Sequence, residues 1–287
     1  MSSILTNNSA MVALQTLKNI NSQLGKTQSD IATGKTVANA KDNAAVWAIS
    51  KVMETDQSAA KTIQSNLNVA DATVGTARQG AEQVVTLLKE VKDLALGATI
   101  STADFGKIDN DIDQKFQQIA KVISGTQMNG VNLLRTAGTG TTTLSVVGSL
   151  DRTAAGGTTT ANTISVATVD LQADLGLDLA AGTSTLFATG ITDTVTAAAA
   201  VTAFEGMINN AVNGAADLGS AGKRISDQAN FVGKLSDSLK SGIGSLVDAD
   251  MEESSARLQA LQTQQQLGIQ ALSIANQGPS AIMSLFR

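Results

Sequence analysis

The stretch IQSNLNVADATVGTARQGAEQVVTLLKEVKDLA (63–95) decides the fold. Ile63, Leu67, Ala70, Val74, Ala77, Ala81, Val84, Leu88, Val91 and Ala95 follow one another at alternating steps of four and three. With about 3.6 residues per turn, that spacing lays one narrow apolar line along a single helix face, as in helices packed lengthwise. Ala60, Met53 and Ile49 carry the line backwards, with Asp56 off it, and Gly97 is the expected stop. The pattern predicts one helix over 44–97.

A second line of this kind lies far downstream. Asp193-Thr194 reads as an N-cap pair, and Val201, Phe204, Ile208, Ala211, Ala215, Leu218, Gly222, Ile225, Ala229, Val232, Ser236, Leu239, Ile243 and Leu246 keep the same step. Between the two, Asp104 precedes a shorter helix marked by Phe105, Ile108, Ile112, Phe116, Ile119 and Ile123, closed by Gly125 and Asn129-Gly130. Residues 136–193 break the pattern: ten Thr and five Gly fall between Thr136 and Thr163. Thr141–Val147 and Ile164–Val169 read as short strands, Gly156-Gly157 as loop, and the whole as a small β-rich insert with a weak core, replaceable by a linker.

The chain ends carry weaker lines. Ala10, Leu14, Leu17, Ile20, Leu24 and Ile31 are interrupted by Asn21 and Gln28, with a break at Thr33-Gly34. After the acidic group Asp248, Asp250, Glu252 and Glu253, helix resumes through Leu258, Leu261, Leu267, Leu272 and Ile274 and is expected to stop at Gly278-Pro279. An apolar tail with Leu285 and Phe286 follows. Such stripes must find a partner or stay disordered, so the ends are expected to order only in an assembly; a monomeric four-helix bundle is the plainer alternative. The fold expected is mainly α: an elongated antiparallel rod of long coiled-coil helices from both arms with a small β-rich insert. Its parts are 1–43 plus 247–287 (terminal helices), 44–135 plus 194–246 (rod) and 136–193 (exposed insert).

Composition removes most chemistry. There are 287 residues with no Cys, no His, no Tyr, one Pro, six Phe and one Trp. That excludes an imidazole base, a thiol nucleophile, a Ser-His-Asp triad, a zinc finger and disulfides. With so few aromatics a thick globular core is not expected. Net charge is −5; residues 1–135 carry 13 basic and 12 acidic side chains, and 136–196 five Asp and only Arg152. No basic stripe suits nucleic acid, no cleavable signal precedes Lys18, and no apolar run is long enough to cross a membrane. Asp109, Asp111 and Asp113 read as a solvated helix face, and the group at 248–253 as a solvated junction. No catalytic residue, cofactor or metal site is expected.

TGKTVANAKDNAAVWAI (33–49), most specifically Ala40 to Ala45, resembles the N-terminal signature of bacterial flagellins. TNNSAMVALQTL (6–17), LLKEVKDLAL (87–96), GTQMNGVNLL (125–134), LGSAGKRI (218–225) and ANQGPSAIMSLFR (275–287) match the same family in the same order. The likeness covers both arms and leaves out the insert. Trp47 stands where a small or polar residue is usual.

The resemblance implies a non-enzymatic subunit that polymerises with its own copies into an extracellular filament for swimming. It would be exported unfolded through the flagellar type III apparatus with its chaperone, and would meet hook-associated junction and cap proteins. A junction protein of the same two-armed plan is the alternative. Leu14, Leu17, Leu24, Ile31, Leu258, Leu261, Leu267, Leu272, Ile274 and Leu285 are the expected assembly residues. Leu88, Lys89, Glu90, Val91 and Leu94, with Asp111, match the stretch by which a Toll-like receptor reads family members. Lys89-Glu90 stands here in place of a Gln-Arg pair.

Overall fold

The computed structural model describes residues 7–136, 143–152, 159–187 and 190–285, leaving aside the side chains of 152, 159 and 278–285. In chain order the elements are α1 (Asn8–Thr33), α2 (Ala44–Gly97), α3 (Phe105–Gly125), β1 (Thr143–Arg152), β2 (Thr159–Ala167), α4 (Leu171–Asp174), β3 (Leu177–Asp178), β4 (Thr183–Ser184), α5 (Thr194–Val247) and α6 (Met251–Leu285). Thr141, Gly156-Gly157 and Phe286 lie outside the described residues, as does the side chain of Leu285. The chain forms two compact units, Met1–Gln57 with Asp237–Arg287, and Ser58–Ser236.

In the second unit, the α2 line is buried as its spacing predicts, from Ala60 and Ile63 through Leu67, Val74, Val84 and Leu88 to Ala95. α5 runs antiparallel beside it. Val74 lies 3.5 Å from where a Cβ on Gly222 would stand, and Lys92 Nζ meets Glu205 Oε1 at 2.8 Å. The other side of α5 meets α3, where the Phe116 and Phe204 rings lie 5.8 Å apart. Because α5 is covered from two sides, its buried strip is wider than one line. Ala200, Met207 and Ala221 are buried beside Phe204, Ala211 and Leu218, with Val201, Ile208 and Ala215 packed at the margin. Asp104 caps α3 by accepting the Lys107 N–H, and Asp193 caps α5 by accepting the Thr196 N–H at 2.7 Å.

The insert differs from expectation. β1 and β2 form an antiparallel hairpin with a register shift between Val147 and Ser149, longer than the predicted strands. Gln228 Nε2 donates to Gly148 O at 2.8 Å, holding the bulge on α5. Val166 near the end of β2, and Leu171, Leu175, Leu177 and Ile191 beyond the hairpin, belong to the same buried cluster as the helices. The weak core is thus a correction: 166–191 has no core of its own because it shares that of α3 and α5.

In the first unit α1 and α6 pair antiparallel. The two connections that follow α1 and α5 are joined as well: Thr36 N–H donates to Val247 O (2.8 Å) and Ala249 N–H to Gly34 O (2.9 Å), so Lys35 and Asp248 form an isolated antiparallel bridge. Gly34, at φ 69°, ends α1 in the left-handed region that glycine adopts without strain. α6 does not stop at Gly278-Pro279; it runs on to Leu285.

Candidate interaction surface

The seam between α1 and α6 is set by small and polar residues as much as by large ones. On α1, Ala10, Ala13, Leu17, Ile20, Leu24, Thr27 and Ile31 are the covered positions, in steps of three and four. On α6 the covered set is Ser254, Leu258, Leu261, Gln265, Gly268, Leu272 and Ala275. Gly268 makes room for Leu17, whose Cδ1 would stand 3.0 Å from a Cβ there, and Gln265 Nε2 donates to Asn21 Oδ1 at 2.7 Å. Asn21, expected to weaken the helix, is therefore satisfied across the pair.

Of the residues expected in the seam, Leu17, Leu24, Ile31, Leu258, Leu261 and Leu272 lie in it, and Leu261 is 4% exposed. Leu14, Leu267 and Ile274 do not. They are 45%, 58% and 70% exposed. Leu267 and Ile274 are seven residues apart and share one face of α6, while Met11 and Leu14 share one face of α1. Val12 and Ile269 are exposed too. The same displacement occurs at the start of α2, where Ser50 is buried and Ile49 is 55% exposed. In each case a smaller neighbour, Ala13, Gly268, Ala275 or Ser50, holds the covered position beside the larger apolar residue. Met11, Val12 and Ile269, missed by the sequence reading, are further apolar side chains that the chain leaves open.

The receptor-like stretch divides by burial. Leu88 and Val91 are fully buried, Leu94 is half-buried, and Lys89, Glu90 and Asp111 are exposed. Glu90 Oε2 pairs with Lys115 Nζ at 2.6 Å. The helix carrying Asp111 is not one solvated acidic face. Asp109 Oδ1 accepts the Ile191 N–H at 2.9 Å, and Asp113 lies in a recess with Thr183, Ser184 and Phe187. Burial, then the nearby Asp109 carboxylate, raises the Asp113 pKa above the ordinary 3.8. Among the described residues no group of three or more acidic side chains is placed to hold a metal ion, and no helix is long and apolar enough to cross a membrane.

Comparison with known proteins agrees with this two-armed plan. Residues 4–139 match the bacterial flagellin N-terminal helical region, and 201–286 the C-terminal helical region. Flagellin FljK of Caulobacter vibrioides is 38% identical over 290 residues, covering 100% of this chain and 99% of that protein. The flagellin of Brucella melitensis is 38% identical, with 100% of both chains covered. Flagellin A of Rhizobium meliloti is 33% identical over 395 residues, again covering 100% of both. Two matched arms joined by an unmatched insert, and full-length likeness at this identity, place the chain in the bacterial flagellin family.

Proposed function

We propose that the chain is a structural subunit that polymerises with its own copies into the helical flagellar filament used for swimming. The observation that carries this is the set of apolar side chains left open around the terminal helix pair, Met11 and Leu14 on α1 and Leu267 and Ile274 on α6 above all. Burying each large side chain is worth roughly 1.5–3 kcal/mol, so such a surface calls for a partner, and neighbouring copies are the partner that a filament supplies. In this reading the parts are 1–43 plus 247–287, 44–135 plus 194–246 and 136–193, and the helix breaks at 34–43 and 248–250 support the first boundary. In this reading the terminal pair is ordered by assembly, and 136–193 faces outward. The role is mechanical and needs no catalytic group. Export unfolded through the type III apparatus with a chaperone, contact with junction and cap proteins, and an extracellular location go with it.

The test is seeded growth. Purified protein added to filament fragments should give long helical tubes by electron microscopy, and a chain lacking 255–287 should give none. Hydrogen exchange should be fast at 7–33 and 255–277 in the free subunit and slow in the filament. Growth by the truncated chain would overturn the proposal.

A further inference from the structure

Pro279 is the only proline in the chain, and it sits inside α6. A proline has no N–H, so the carbonyl four residues before it, that of Ala275, loses its helical donor. That carbonyl is not left bare. Asn7 Nδ2, 268 residues away in sequence, donates to Ala275 O at 2.8 Å. The same amide caps α1, with Oδ1 accepting the Ala10 N–H at 3.1 Å. Only one orientation of the Asn7 amide satisfies both contacts, and both bonds are partly buried.

We infer that Asn7 is a positioning residue for assembly: it gives Ala275 the donor that Pro279 withholds, and so fixes the register of α1 on α6. The apolar lines cannot do this alone, because each repeats every seven residues. A slip by one repeat keeps most small and large side chains in the seam but moves Asn7 about 10 Å along the axis, out of hydrogen-bond reach. A polar contact that only one alignment satisfies is how helix pairs select a register. The second such contact, Gln265 to Asn21, lies in the same alignment. Consequently, the last turns of α6 are helical only when α1 is docked on them, and the two chain ends order together.

This inference rests on the filament reading, and a double-substitution cycle in seeded polymerisation of the full chain separates the two. Asn7→Asp keeps the oxygen that caps α1, at a helix end that favours negative charge, but loses the donor. It should raise the critical concentration for growth about threefold to tenfold, the effect of one hydrogen bond. In a Pro279→Ala background the helix supplies its own N–H, so the same change should cost less than twofold. If Asn7→Asp grows no filaments, restoration by Pro279→Ala supports the inference and its failure overturns it. Amide exchange across 265–285 gives an independent readout, faster in Asn7→Asp and corrected in the double variant. Equal losses in both backgrounds, or no loss in either, would overturn it. Failure of the unaltered chain to grow on seeds would instead refute the filament reading.

Discussion

Thr126 leans on the bare backbone of Gly80: a Cβ there would stand 2.5 Å from Thr126 Oγ1, 2.7 Å from its Cγ2 and 2.9 Å from Leu134 Cδ1. Thr126 cannot turn away freely, because its hydroxyl donates to Val122 O at 2.6 Å. Gly80→Ala should therefore destabilise the monomer by about 1 kcal/mol, overpacking outweighing the gain in helix propensity. Gly75, on the same helix with nothing within 4 Å of its Cβ position, is the control. There alanine should stabilise by up to about 1 kcal/mol. Thermal melts of the two variants should move in opposite directions.

The open surface should matter to polymers and not to monomers. Leu267→Ser with Ile274→Ser should change monomer stability by less than about 0.5 kcal/mol. If neighbours cover both side chains, the critical concentration should rise at least tenfold. Leu261→Ala, inside the seam, should instead cost about 2–5 kcal/mol of stability wherever the helix pair is formed. Sedimentation after seeded growth, with thermal melts of the filaments that do form, distinguishes the two classes.

Two deletions should divide the insert. Replacing the hairpin 143–165 by a Gly-Ser linker leaves Leu171, Leu175, Leu177 and Ile191 in place, so helix content should survive. Replacing 140–190 removes Phe187, whose ring lies 4.9 Å from that of Phe204, together with three of those leucines. Circular dichroism should then show a lower and broader melt. A full-length melt from the larger deletion would show that α3 and α5 do not need the segment.

Acid should act on Asp113 with a defined sign. Its folded pKa lies above the ordinary 3.8, so the folded chain holds the proton more tightly than the unfolded one. Stability from this group is greatest below pH 3.8, falls as pH rises through the folded value, and is flat above it. Asp113→Asn should raise the melting temperature at pH 7, and the gain should vanish on acidification below that window. A gain that persists at low pH would contradict the sign.

Lys89 and Glu90 should make the protein a weak ligand for the Toll-like receptor that reads flagellins. With Leu88 and Val91 buried, the exposed Glu90 presents the wrong sign where a cation is expected. A carboxylate facing a pocket arranged for a cation meets like charge, which can cost several kcal/mol, so Lys89→Gln with Glu90→Arg should raise signalling in a cell reporter assay about a hundredfold or more. The change also breaks the Lys115 pair, but an exposed pair contributes only about 0–1 kcal/mol. Equal signalling by the unaltered protein would show the charge to be irrelevant.

The spacing of α2 was readable because Leu67, Val74, Leu88 and Val91 are both large and in line. On α1 and α6 the line is held by Ala13, Thr27, Gln265 and Gly268, so a reading that follows bulk is drawn to Leu14, Leu267 and Ile274 instead. Local chemistry at Gly278-Pro279 favours a stop, but the Ala275 carbonyl that Pro279 leaves without a helical donor is met by one 268 residues away, and the helix runs on. Nothing near Pro279 announces it. Likewise α4, β3 and β4 are short, and what fixes them is burial against distant helices, not a period of their own.

The bridge between Lys35 and Asp248 bears on how force travels through the subunit. The strand leaving α1 and the strand leaving α5 are tied by two backbone hydrogen bonds, Thr36 to Val247 and Ala249 to Gly34. Because the strands are antiparallel, a pull along one of them loads both bonds together in shear instead of unzipping them in turn. Tension entering through α1 is shared with the 247–249 segment before it reaches α2, and torque on either connection meets a doubled strand instead of a single flexible tether. In a filament under torque, that sharing would limit slack where α1 and α5 give way to their connections.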